Sequence, residues 1–161
     1  MNHYLKSAAR PLEILLALIF AAGVFLKAQD INLFAVQIAG YGILPQKSQL
    51  IPAALAALAA ESLLAIALLA ALRPRGLTHL ALQLVLFFFT ALILYGWLAN
   101  DLEDCGCFGP LEMSPTVSIA KNLLLALMGA AAWYGSSRQP AEEDARPKHN
   151  LAKVVAAVLV T

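Results

Sequence analysis

The stretch Leu50–Leu72, LIPAALAALAAESLLAIALLAAL, is 23 residues long and holds a single charge, Glu61. At 1.5 Å of rise per residue, a helix of that length runs about 34 Å, enough to cross the roughly 30 Å hydrocarbon core of a bilayer. A helix on the surface of a soluble core needs one apolar stripe. This one is apolar on nearly every face, which suits lipid as its solvent. The Arg73-Pro74-Arg75-Gly76 run that follows breaks the helix.

Three further stretches have similar character: Pro11–Ala28, Leu77–Ala99 and Pro115–Gly135. Ser114-Pro115 reads as an N-cap followed by proline in the first helical turn. The whole chain of 161 residues is 61% hydrophobic and only 13% charged, against about 25% charged in soluble domains. A core this small cannot bury so much apolar surface, so the bilayer is the first partner. The net charge of +1 by itself says nothing of nucleic acid, and with no basic patch no nucleic-acid partner is expected. The predicted fold is all-α, an integral membrane four-helix bundle over residues 1–135. Residues 136–150, SSRQPAEEDARPKHN, read as a polar linker. Residues 151–161, LAKVVAAVLVT, are apolar but too short to span, either an amphipathic end or the start of a truncated fifth helix.

Between the first two spans lies a shorter apolar run, Asp30–Leu44, which fits an interfacial or re-entrant helix. Asp30 is placed to cap it, Pro45 to end it, and Phe34, Ile38 and Tyr41 share one face. Lys6 and Arg10 could mark a signal peptide, but Lys27 interrupts the only small-residue cleavage candidate, near Ala28, so the first stretch is expected to stay as a span. Lys and Arg placement sets the orientation. Lys6, Arg10, Arg73, Arg75, Arg138, Arg146 and Lys148 fall on one side, against Lys27, Lys47 and Lys121 on the other. Positive loops stay inside, so both termini are expected in the cytoplasm and the Asn100–Ser114 loop outside, in the cell inner (plasma) membrane.

That outer loop contains both cysteines of the chain, in Cys105-Gly106-Cys107-Phe108-Gly109. A bond between Cys105 and Cys107 would close almost no loop, so fold stabilisation is a poor reason for it. Its tight ring would be strained, and strained, exposed disulfides are the labile ones, with Gly106 easing the backbone. Thiol–disulfide exchange is the leading reading. Soft-metal binding is weaker, because two thiolates underfill a tetrahedral site, and a passive disulfide or an inert thiol pair is the bland alternative. Asp101, Glu103 and Asp104 disfavour thiolate formation nearby, and they also offer an acidic docking surface.

With this loop the sequence resembles the MauE (methylamine utilisation) branch of the DoxX-like membrane proteins. CGCFG before the last span is the most specific feature. Supporting matches are Gly23 with Phe25-Leu26-Lys27, Phe34 through Tyr41 to Leu44-Pro45, Pro52 and Glu61, and Lys121-Asn122. The resemblance covers roughly Pro11 to Gly135. It implies a four-helix membrane protein that acts beside an extracytoplasmic thioredoxin-like partner. The implied client is an exported, disulfide-containing protein, in the family the small subunit of methylamine dehydrogenase. The tail beyond Gly135 departs from the short family end.

The residues inside the membrane form a second constellation. A charge at the position of Glu61 costs about 2.5–3.5 kcal/mol on insertion scales, so it should face the bundle and be paired or protonated. Lys27 or Lys121 could reach it, and Asn122 and Gln83 can bond between helices. The favoured reading of Glu61 is helix packing, with Ser62 and the alanines forming a close interface. A proton or quinone contact is the sharper alternative. His3, His79 and His149 are scattered, no metal site is expected, and the residues call for no cofactor. Tyr95, Trp97, Trp133 and Tyr134 read as interface anchors. The function that follows is an accessory thiol–disulfide exchange protein rather than a stand-alone enzyme. A transporter or binding scaffold with structural cysteines is the alternative. A four-helix quinone-reducing oxidase fits less well, since such relays use a second cysteine pair.

Overall fold

A computed structural model describes residues 2–72, 74–102, 105–106 and 113–137, with side chains from Ala8 onward. The expected linker beyond residue 137 and the apolar end at 151–161 lie outside the described residues, as do Cys107, Phe108 and Gly109. The described residues form five α-helices: α1 (Asn2–Ala28), α2 (Ile31–Gly40), α3 (Leu50–Leu69), α4 (Arg75–Asn100) and α5 (Pro115–Ser136). A single 3-10 turn, Lys47–Gln49, leads into α3. All but α2 are long and apolar enough to cross a membrane. The protein is a multi-pass membrane protein.

Several boundaries moved. Helix α1 runs straight through Pro11 to Asn2. Helix α3 stops at Leu69 rather than Leu72, because Ala71 turns left-handed at φ 49° and the Leu72 N–H reaches back to the Ala67 carbonyl at 3.0 Å. Pro74 then stands at the start of α4 as its N-cap, where its fixed φ is no burden. Helix α2 ends at Gly40, five residues before Pro45; Gly42 adopts φ +69°, a conformation open mainly to glycine. Asp30 does cap α2, its Oδ1 accepting from the N–H groups of Asn32 and Leu33 at 3.1 and 2.9 Å. Ser114 occupies the N-cap position of α5 without capping it: its hydroxyl pairs with that of Thr116 at 3.1 Å.

The four long helices are arranged in the order α3, α1, α5, α4, and the seam between α3 and α4 is barely closed. One half of the bundle is solid. There Leu16, Ala17 and Phe20 of α1 meet Leu64, Ala65 and Leu68 of α3, Leu82 and Leu86 of α4, and Leu125 of α5. Gly129 lets α4 and α5 approach closely, since a Cβ there would lie 2.7 Å from the Leu82 Cδ2. In the other half, α2 packs on the start of α3 through Phe34, Ala35 and Ala54. The outward apolar side chains are strongly exposed: Phe87 at 74%, Leu98 at 73%, Leu63 at 67%. Lipid takes the place of a core for these.

Candidate functional site

The C-terminal turn of α4 fixes the cysteine loop. Asp101 is left-handed at φ 49°, and the Leu102 N–H returns to the Gly96 carbonyl at 3.1 Å, a Schellman-type ending. Leu102 folds back onto Gly96 and packs with Ile93 and Cys105. Cys105 is therefore not an exposed loop thiol: it is 2% exposed. Its Sγ lies 2.7 Å from the Ser118 hydroxyl in α5, its N–H donates to the Met113 carbonyl at 3.3 Å, and its carbonyl accepts from the Tyr41 hydroxyl at 2.5 Å. Ser118 can donate to a thiolate or accept from a thiol, so it suits either state of the sulfur.

Gly106 has two reasons to be glycine. Its φ is +62°, and a Cβ there would press on Gln37 of α2 at 2.7 Å. Helix α2 thus shelters the described part of the loop through Gln37 and Tyr41, and the Asn100 side chain ties the turn after α2 by donating to the Tyr41 carbonyl at 2.9 Å.

Beneath Cys105 lies a cavity of about 460 Å³, walled by α1, α2, α3, α4 and α5. Its lining is apolar except at a few points. Chief among them is a buried ion pair: Lys27 Nζ donates to both carboxylate oxygens of Glu61 at 2.6 and 2.8 Å. Lys27 is 6% and Glu61 4% exposed. The rings of Phe34 and Phe89 have their centroids 5.3 and 5.7 Å from the same ammonium, adding cation–π attraction where little water screens it. Of the two candidate lysines, Lys27 is the one that reaches Glu61; Lys121 also lines the cavity. Asn122 donates to the Thr90 hydroxyl at 3.2 Å and Gln83 to the Ala126 carbonyl at 3.0 Å, so both bridge α4 and α5.

The family model for methylamine utilisation protein MauE matches residues 5–135. The chain belongs to this family. No curated protein and no solved structure matches it. The matched region of this MauE-family chain runs from the first turn of α1 to the last turn of α5, with Cys105, Gly106, Lys27, Glu61 and Asn122 inside it and around one cavity.

Two readings of α3 need correction. Its alanines do not all make a close interface: Ala54 and Ala65 are buried in packing, but Ala53, Ala56, Ala57 and Ala60 line the cavity. Ser62 spends its hydroxyl on its own helix, at the Leu58 carbonyl 2.7 Å away, so it glues nothing across helices.

The sequence reading also passed over a cluster at the other end of the bundle. Glu13 accepts from Arg10 Nη1 at 2.9 Å and lies 3.1 Å from His79 Nε2; the Ser136 hydroxyl is 3.3 Å from that same nitrogen. Arg10 donates to the Leu68 carbonyl at 2.7 Å and also to that of Leu69, carbonyls left over at the end of α3. Trp133 stacks on His79 at 6.3 Å between centroids and 10° between planes, so it packs inward as well as sitting near an end of its helix. The signal was an acid, Glu13, inside a membrane span. Because Ser136 and Glu13 meet one and the same imidazole nitrogen, the trio lacks the relay through opposite ring nitrogens that a hydrolytic triad needs.

Proposed function

We propose that this MauE-family chain is an accessory redox protein of the inner membrane, with Cys105 and Cys107 facing the extracytoplasmic side and both termini in the cytoplasm. Cys105 and Cys107 exchange disulfides with a thioredoxin-like partner during maturation of an exported, disulfide-containing client. In the methylamine-utilisation setting that client is the small subunit of methylamine dehydrogenase. The observation that carries this reading is the built environment of Cys105, whose sulfur, carbonyl and N–H are each held by a different part of the fold.

The two sulfurs divide the labour. Cys105 is buried and turned to Ser118 and the cavity, so Cys107 is the sulfur that meets a partner. In oxidation of the client, a client thiolate attacks Cys107 Sγ and breaks the Cys105–Cys107 bond, and Cys105 leaves as a thiolate stabilised by the Ser118 hydroxyl. The second client thiol then attacks the mixed disulfide, leaving an oxidised client and a reduced pair. Trapping tests this division. Cys105→Ser leaves Cys107 to accumulate a mixed disulfide with the thioredoxin-like protein or client, whereas Cys107→Ser accumulates little. Equal absence of adducts in both variants, with normal client maturation, would remove the redox role in favour of a scaffold with structural cysteines.

A further inference from the structure

Cys105 is 2% exposed and sits under the C-terminal end of α2. We propose that Tyr41, the C-cap of α2, is a positioning residue for Cys105. Its hydroxyl latches α2 onto the cysteine loop, and release of that latch makes the buried thiol available. The consequence for disulfide exchange rests on the thiol–disulfide reading above; the latch itself does not.

Tyr41 is held at both ends. Its side chain donates to the Cys105 carbonyl at 2.5 Å, and its own carbonyl accepts from the Asn100 side chain at 2.9 Å. The ring between these bonds lies against the last turns of α4, where a Cβ on Gly96 would come within 2.9 Å of the Tyr41 Cδ1. Leu102 completes the contact. It packs with Cys105 and stands 3.1 Å from where a Cβ on Gly40 would be. The end of α2 is thus lowered onto the loop until larger residues would not fit between them.

The bond reaches the peptide of Cys105 rather than its sulfur. A peptide unit is planar, so a partner on the carbonyl restrains the whole Cys105–Gly106 unit. The Cys105 N–H, donating to the Met113 carbonyl at 3.3 Å, restrains the preceding unit in the same way. Held on both sides, the residue keeps its Sγ 2.7 Å from the Ser118 hydroxyl. Helix α2 has ten residues, fewer than the roughly 12–15 at which an isolated helix is even marginal in water. Its place therefore depends on contacts with the rest of the fold, and one hydrogen bond is a substantial part of them. Local openings of this kind are the ordinary route by which a buried group meets solvent.

Ser118 and Tyr41 then act differently on one thiol. Ser118 touches the sulfur and bears on its acidity. Tyr41 bears on how often the sulfur is reachable, which multiplies the rate of reaction at every pH and leaves acidity alone.

The test uses the full chain with Cys107→Ser in lipid nanodiscs, where Cys105 is the remaining thiol. Its rate of reaction with the membrane-impermeant cation (2-trimethylammonioethyl) methanethiosulfonate is followed across pH. Tyr41→Phe keeps the ring against Gly96 and should raise the rate about two- to tenfold, the weight of one hydrogen bond. The inflection of the pH profile should not move. Should that variant fail to accumulate, Asn100→Ala, which loosens Tyr41 from its backbone side, carries the same expectation. Gln83→Leu removes a comparable bond between α4 and α5, away from α2, and should leave the rate unchanged. A parent-like rate in Tyr41→Phe overturns the latch. So does a displaced inflection, which would make Tyr41 a tuner of acidity, or an equal rise in Gln83→Leu, which would report general loosening. The expected rates, in a chain whose unaltered form exchanges no disulfide with the thioredoxin-like partner, support the latch and overturn the proposed function instead.

Discussion

Helix α1 carries two buried ion pairs, one at its C-terminal end and one near its middle, and they sit in opposite surroundings. Lys27 and Glu61 look onto a cavity of about 460 Å³ with Cys105 on its wall. Glu13, His79 and Arg10 are packed among Leu68, Trp133 and Ser136, with space beside them for about one water, roughly 10 Å³. Both pairs carry the cost of charge at membrane depth. Only one has room for a second molecule. The Glu13 cluster joins the middle of α1 to the end of α3, the first turns of α4 and the end of α5, as a clasp would; the Lys27–Glu61 pair holds two polar groups beside a cavity. Buried charge marks a place where the fold spent stability, and the space next to it separates a binding site from a fastening. The solid layer of Leu16, Phe20, Leu64, Leu68, Leu82 and Leu86 lies between the two and keeps them separate.

The largest effect expected from a single change is at the Lys27–Glu61 pair. Lys27→Ala alone, or Glu61→Ala alone, leaves an uncompensated buried charge and should cost about 3–5 kcal/mol. Replacing both with Met should return stability to within about 1 kcal/mol of wild type. Unfolding midpoints in mixed micelles read this directly. Should the single changes prove harmless, the pair is more hydrated than its burial indicates and the contrast with the Glu13 cluster weakens.

Next comes the Glu13 clasp. Glu13→Ala removes the carboxylate that Arg10 and His79 share, and should destabilise by about 1–3 kcal/mol through the loss of those two charge-assisted contacts. Client maturation per folded molecule should be unchanged. Loss of maturation at normal folded abundance would make the Glu13 cluster functional and erase the distinction.

The smallest effect sits beside that clasp, at Ala71. Its left-handed φ of 49° costs an alanine more than a glycine. Ala71→Gly should therefore stabilise by roughly 0.5–1 kcal/mol, seen as a raised midpoint. Destabilisation would mean that the Ala71 methyl packs better than its surroundings suggest.

The sequence made the spans legible because length and uniform apolarity are local properties, and Asp30 was legible as a cap for the same reason. It also showed that Glu61 needed a partner. It could not choose between Lys27 and Lys121, because that choice depends on where the end of α1 meets α3, a contact across 34 residues. Glu61 lies eleven residues into α3, about 16 Å along it, so α1 ends and α2 begins alongside α3 rather than beyond its end. The alanines of α3 looked like a packing face, since small residues serve close helix approach and open lining equally well. Only the parting of α3 from α4 separates those uses. The burial of Cys105 was hidden likewise: Ser118 and Tyr41, which hold it, are 13 and 64 residues away.

Disulfide formation in the client, in cells that carry the chain with Cys105→Ser and Cys107→Ser together, tests the redox role most directly. A Cys-Gly-Cys pair closes too short a loop to hold the fold, so the variant should insert and accumulate like wild type. Its client should remain reduced and immature. Full client maturation at normal abundance of the doubly substituted chain would contradict the account.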